Sequence, residues 1–204
     1  MRFKQFLIES REAPNRGIWY HGDSNSRKHY RDQRMERDLT QQEGNDEGPG
    51  IYFTRSLKEA IGYAEGNGYI QTVRVKSDKF YTDDYKPSKK DKYRMLENLI
   101  EWAPEERREI GLSNWDEDPV VAKKDALGQY MKWGFQNATL GIYNDFYGSA
   151  DANEWTGSMV ANDIDGYWKY LDDREHLIVY DPKVVEIEDE MTFDEAKERY
   201  DNEI

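Results

Sequence analysis

The sequence predicts an α+β fold, a sheet with flanking helices and a helical insertion, and three features of the chain predict it. Short runs rich in aromatic and β-branched residues, at 17–20, 51–53, 69–76 and 175–180, read as strands. One of them, Ile51-Tyr52-Phe53, follows the turn residues Gly48-Pro49-Gly50 and leads into Ser56-x-x-Glu59, a capping-box spacing; Leu57, Ala60, Ile61 and Ala64 then share one helical face. From about residue 88 to 172, by contrast, apolar residues recur mostly at helical spacing.

Residues 1–11 (Met-Arg-Phe-Lys-Gln-Phe-Leu-Ile-Glu-Ser-Arg) are a short amphipathic start without the long apolar stretch and small-residue cleavage site of a secretory signal. They read either as a leader or as a helix docking Phe3, Phe6 and Leu7 on the body. The strand at 17–20 delivers His21 and Gly22 at its end. Residues 24–46 form a long polar loop carrying Arg27, Lys28, His29, Arg31, Arg34 and Arg37, and a loop of that length inside a compact domain is usually functional or disordered. Asp32, Glu36 and Asp38 interleave with its cations, so a solvated loop is the competing expectation.

The 48–64 unit sets Tyr52 on the strand and Tyr63 on the helix. Two rings held at a fixed separation can sandwich a flat ring between them, and the alternative is that both fill the core. Beyond them, residues 69–76 alternate well enough for a strand with one solvated face, and 79–81 form a shorter one. A helix runs from Ser88 through Trp102 with Tyr93, Leu96 and Ile100 on one face, until Pro104 stops it. A second helical region, 119–147, carries Val120, Leu127, Met131, Phe135, Ala138 and Ile142, interrupted by Gly128, Gly134 and Gly141. A third, 163–171, carries Ile164, Tyr167, Trp168 and Leu171. The strand at 175–180 continues after Asp181-Pro182 through Val184, Val185 and Ile187. Thr192-x-x-Glu195 caps a terminal helix with Phe193, Ala196 and Tyr200 inward.

At 204 residues the chain predicts a single domain over 12–204, after a leader at 1–11, with the insertion at about 88–172. Hydrophobic residues make up only 37% and charged ones 35%, but fifteen tyrosines and six tryptophans supply an aromatic core. The absence of cysteine excludes disulfides and thiolate metal sites. No run of about 18 apolar residues exists to span a membrane. A net charge of −13 argues against a general nucleic-acid binder. Residues 1–37 nevertheless hold nine Lys and Arg against five Asp and Glu, a balance of +4 that leaves −17 for the rest, so one end suits a small anion.

The order Tyr20-His21-Gly22, then Gly50-Ile51-Tyr52-Phe53 with Tyr63 eleven positions on, then Glu175-His176-Leu177-Ile178-Val179-Tyr180, resembles the ADP-ribosyltransferases of the His-Tyr-Glu class, which include the poly(ADP-ribose) polymerases and diphtheria toxin. The resemblance covers about half of the chain. It implies a split mixed sheet of the ADP-ribosyltransferase kind, NAD as substrate with no metal, and glycosyl transfer to a protein or nucleic-acid acceptor by a monomer. The first eleven residues resemble the capsid-targeting leaders of internal head proteins of T4-like bacteriophages, and Leu7-Ile8-Glu9 fits the pattern after which their protease cuts, before Ser10. That likeness implies a virion-interior protein released into the host cytoplasm to modify a host macromolecule.

On the same footing, Tyr52 and Tyr63 would stack the nicotinamide, and His21 would fix the ribose while Gly22 lets the carboxamide approach. Arg27 or Arg31 would bind the diphosphate. Glu175 would stabilise the oxocarbenium-like transition state. Counting back from Tyr180-Asp181 puts His176 at the catalytic position instead. Neighbouring strand residues face opposite sides, and Glu175 is the preferred assignment. Two positions depart from the pattern: Asp23 follows the glycine where Ser or Thr is common, and Ala60 stands where a serine often contacts the carboxamide. These departures and the acidity leave a second expectation, a non-catalytic protein on the same fold that blocks a host defence or transcription protein by mimicking nucleic acid.

Overall fold

The computed structural model describes residues 13–24, 30–31, 34–35, 48–64, 66, 68–171 and 174–203. The leader expected at 1–11 and the loop cation Arg27 lie outside them. Among the described residues the fold is α+β, with nine strands and seven α-helices. They form two compact units, a sheet unit within Met1–Arg37, Ile51–Phe80 and Tyr167–Ile204, and a helical unit within Asp38–Gly50 and Tyr81–Gly166.

The main sheet is built from β1 (Trp19–Asp23), β4 (Ile51–Thr54), β5 (Tyr69–Val75), β6 (Phe80–Tyr81), β7 (Gly166–Leu171), β8 (Arg174–Val179) and β9 (Val185–Thr192), in the order β6-β7-β8-β4-β1-β5-β9. A separate hairpin pairs β2 (Tyr30–Arg31) with β3 (Arg34–Met35). Strand β1 pairs antiparallel with β5 along its whole length, from Trp19 opposite Val73 to Asp23 opposite Tyr69. With β4 it shares a single paired position, Tyr20 opposite Thr54. The ladder between the two central strands therefore stops short of His21 and Gly22. Strand β4 pairs antiparallel with β8, from Ile51 opposite Val179 to Thr54 opposite His176.

Helix α1 (Leu57–Tyr63) begins at Ser56, whose hydroxyl accepts from the Glu59 N–H at 3.2 Å. Seven residues are too few to hold a helix in water, so packing holds it. Leu57, Ala60 and Ala64 are buried against Ile70, Met191 and Ala196, with Tyr20, Ile61, Phe193 and Tyr200 around them. Gly22 explains how closely α1 sits on β1: a Cβ there would lie 1.9 Å from the Ala60 carbonyl oxygen. Helix α7 (Phe193–Glu203) closes the unit, and its capping box is complete. The Thr192 N–H donates to the Glu195 carboxylate at 2.8 Å, and the Glu195 N–H donates to the Thr192 hydroxyl at 3.3 Å.

The helical unit contains α2 (Lys89–Glu101), α3 (Glu105–Ser113), α4 (Pro119–Tyr130), α5 (Phe135–Phe146) and α6 (Ala152–Ala161). Ser88 and Asp118 cap α2 and α4 through their side-chain oxygens. The buried face of α2 is Met95, Leu96, Leu99 and Ile100, while Tyr93 is exposed. In the 119–147 region the helix breaks at Gly134, and Val120 faces solvent while Ala122, Ala126, Leu127 and Tyr130 turn inward. The helix expected over 163–171 is instead a turn followed by strand β7. Asp163 adopts a left-handed φ of 67°, which ends the preceding helix, and the aromatic-rich Tyr167-Trp168-Lys169-Tyr170 then joins the sheet beside β8. The helix at 152–161, absent from the expectation, supplies the fully buried Trp155. Burial also pushes the Tyr147 hydroxyl up to about 12 while it donates to the Leu99 carbonyl at 2.6 Å.

Candidate functional site

Strands β8, β4 and β1 are neighbours in the sheet, so three segments far apart in sequence meet side by side. Strand alternation then sorts their side chains by face. Thr54 lies opposite both Tyr20 and His176, and these three look toward α1, with Gly22, Tyr52 and Ile178 on the same side by the two-residue period. Trp19, His21, Phe53, Leu177 and Glu175 take the other side. Two contacts agree with this sorting: Thr54 donates to Glu59 of α1 at 2.6 Å, and the His21 and Phe53 rings lie 5.5 Å apart.

On the face toward α1 the helix packs against β1 and β4, and its Glu59 side chain reaches β8. Tyr63 is 60% exposed, which rules it out as core filling, and Tyr52 is half-buried. A Cβ at Gly22 would come within 3.1 Å of the Tyr63 Cβ, so the bare backbone of β1 passes beside the helix end that carries Tyr63. Glu59 lies four residues before Tyr63 and therefore on the same side of α1. Its two carboxylate oxygens divide between partners. Oε2 accepts from Thr54, and Oε1 is 2.9 Å from His176 Nε2. Arg174 Nη1 is 4.0 Å from Oε1, on a largely exposed side chain.

Here the sequence reading of Ser56-x-x-Glu59 holds only by half. Ser56 caps α1, but its own N–H donates to Thr54 Oγ1 at 3.1 Å instead of to Glu59. Thr54 thus replaces the carboxylate at the cap and releases it toward His176.

On the opposite face, the buried His21 has Nδ1 2.7 Å from the Tyr52 carbonyl oxygen. A carbonyl only accepts, so Nδ1 carries the proton, and the imidazole bridges β1 to β4 where their ladder has stopped. Asp23 Oδ2 is 4.0 Å from the other ring nitrogen. Glu175 is also on this side, away from the tyrosines. Its carboxylate is 3.2 Å from Arg55 Nε, the two side chains being 16% and 20% exposed. Arg55 in turn donates to the Ile18 carbonyl at 2.9 Å and the Ala13 carbonyl at 3.3 Å, with its guanidinium 3.9 Å over the Trp19 ring. Of the expected site residues, Gly22 and Tyr52 lie on the sheet face toward α1 and Tyr63 stands on α1 beside Gly22, whereas His21 and Glu175 turn to the other face because the strand period is two. Arg31 lies in the β2–β3 hairpin, opposite Arg34.

The Glu175 carboxylate is the charge partner of Arg55. Glu175→Gln should lower stability by about 1–3 kcal/mol, because the Arg55 guanidinium loses its charge partner while keeping its carbonyl acceptors. Urea denaturation of the two proteins measures this. Unchanged stability together with abolished turnover of NAD would return the carboxylate to catalysis.

Among the described residues no group of three or more His, Cys, Asp or Glu is placed to hold a metal ion. Among the same residues no helix is long and apolar enough to cross a membrane. No family model matches the chain, and neither the curated proteins nor the solved structures contain a significant match.

Proposed function

We propose that the chain is an ADP-ribosyltransferase-like protein that binds NAD in the groove between α1 and strands β4 and β8, and transfers its ADP-ribose to a macromolecular acceptor. The observation that supports this most is that Gly22 and Tyr52 share the sheet face on which α1 carries Tyr63, although the three come from three elements. An exposed ring on a helix end and a half-buried ring on the neighbouring sheet face offer surfaces on which a nicotinamide would stack, while Gly22 lets α1 seat closely enough on β1 to set the position of Tyr63. On this reading NAD is a substrate, His21 supports the groove by tying β1 to β4, and a host macromolecule is the acceptor during phage infection.

Calorimetry and thermal shift test the binding step. The folded protein should release or absorb heat with millimolar NAD, and ligand at one hundred times Kd should stabilise it by about 2.7 kcal/mol. Tyr63→Ala should weaken that binding by about 0.5–1.5 kcal/mol through lost stacking. No heat and no shift with the wild type would reject the proposal.

A second reading, a non-catalytic binding protein of acidic surface on the same scaffold, is favoured by one observation: the Glu175 carboxylate is held by Arg55 on the face away from the tyrosines. Incubation with biotinylated NAD and host lysate separates the two. Labelled acceptors support the transferase, and bound but unconsumed NAD supports the binding protein.

A further inference from the structure

The geometry points to His176 as the general base of the groove, oriented by Glu59, which makes the pair a carboxylate–imidazole dyad built across α1 and β8. This assignment rests on the NAD reading above and gives the groove the catalytic group that Glu175 does not supply there.

The dyad is ordered from both ends. Thr54 Oγ1 holds Glu59 Oε2 at 2.6 Å, which leaves Oε1 aimed at His176 Nε2, 2.9 Å away. An ionised carboxylate only accepts, so Nε2 carries the ring proton and Nδ1 is the basic nitrogen. That tautomer is the one a base needs, and a carboxylate behind the ring offsets the charge it gains on taking a proton. The side chains of Glu59 and His176 are 15% and 27% exposed, sheltered enough to be held and open enough to be reached. A helix-capping carboxylate ordinarily reaches back to its own N-cap, as Glu195 does on α7. At α1 Thr54 takes that place, accepting from the Ser56 N–H and donating to Glu59, which keeps the carboxylate turned toward His176.

The step that follows is balanced. The bond between C1′ of the ribose and the nicotinamide nitrogen breaks, its electron pair leaving with the neutral nicotinamide. An acceptor hydroxyl, or water, forms a bond to C1′ and gives its proton to Nδ1 of His176. Histidine later returns that proton to solvent.

The test uses the full chain, with NAD as probe and water or the labelled acceptor as nucleophile. His176→Gln keeps a donor toward Glu59 and with it the fold, but has no base; turnover should fall by about 10²–10⁴-fold while NAD affinity stays within about threefold. His176→Ala should lose as much and regain part of it when free imidazole is added. Glu59→Gln, which alters only the group behind the ring, should lower kcat by about 10–10²-fold with KM nearly unchanged, and Glu59→Asp should recover some of the loss. Wild-type turnover in His176→Gln overturns the assignment and leaves NAD binding standing. Loss in both histidine variants without imidazole rescue makes the residue structural and overturns it equally. A wild type that binds no NAD overturns the dyad and the NAD reading together.

Discussion

Trp19→Ala is expected to lower stability by about 3–5 kcal/mol, the range for removing a large aromatic ring from a packed core. The indole is fully buried at the start of β1, its N–H donates to the Pro14 carbonyl at 2.8 Å, and the Arg55 guanidinium lies over its ring. Truncation therefore opens a cavity and also removes the surface on which Arg55 is laid. Since Arg55 holds Glu175 and the Ile18 and Ala13 carbonyls, the edge of β8 and the chain before β1 should loosen with it. Trp19→Phe should cost less, because a ring remains to fill the space and carry the cation. Urea denaturation of all three proteins decides the matter: a loss below about 1 kcal/mol for the alanine variant would mean that the core closes readily around the gap.

Gly22→Ala should be nearly as disruptive and should displace α1 directly. The added methyl would lie 1.9 Å from the Ala60 carbonyl oxygen and 2.9 Å from its carbon, both backbone atoms that no rotamer change can move. Helix α1 must therefore shift off β1. Overpacking of this kind typically costs about 1–3 kcal/mol. The shift would carry Glu59 away from His176 and move Tyr63, so on the proposed reading NAD binding and turnover should fall further than the stability loss explains. Gly62→Ala is the control on the same helix, since nothing lies within 4 Å of a Cβ there. It should leave the groove intact and, by raising helix propensity, add up to about 1 kcal/mol. Equal behaviour of the two variants by calorimetry with NAD would remove the close approach from the account of the site.

Much of the fold was legible because local signals decide it. Alternation and β-branched or aromatic content marked β1, β4, β5 and β8, and Ser56 and Thr192 marked the starts of α1 and α7. The misread stretch at 163–171 shows where such signals end. Ile164, Tyr167, Trp168 and Leu171 satisfy a helical period, yet a left-handed residue at Asp163 and an open sheet edge beside β8 turn 166–171 into a strand. Aromatic residues serve either element, so the neighbour that covers them chooses. Likewise the Gly134 break and the exposed Val120 depend on which faces of α4 and α5 find partners, which periodicity over 29 residues does not state.

By itself the sequence determined that the chain is α+β, that Tyr52 and Tyr63 stand on a strand and its following helix, and that the 175–180 strand presents Glu175 and His176 to opposite sides. It could not determine which of those sides faces α1. That depends on the register of β4 with β8, where Thr54 falls opposite His176. Glu59 and His176 lie 117 positions apart, and a capping-box spacing describes Glu59 completely until Thr54 occupies the cap. Only the folded sheet brings the two together, because strand pairing joins residues by register and not by sequence distance, and a shift of one position would have exchanged His176 for Glu175 on the face toward α1.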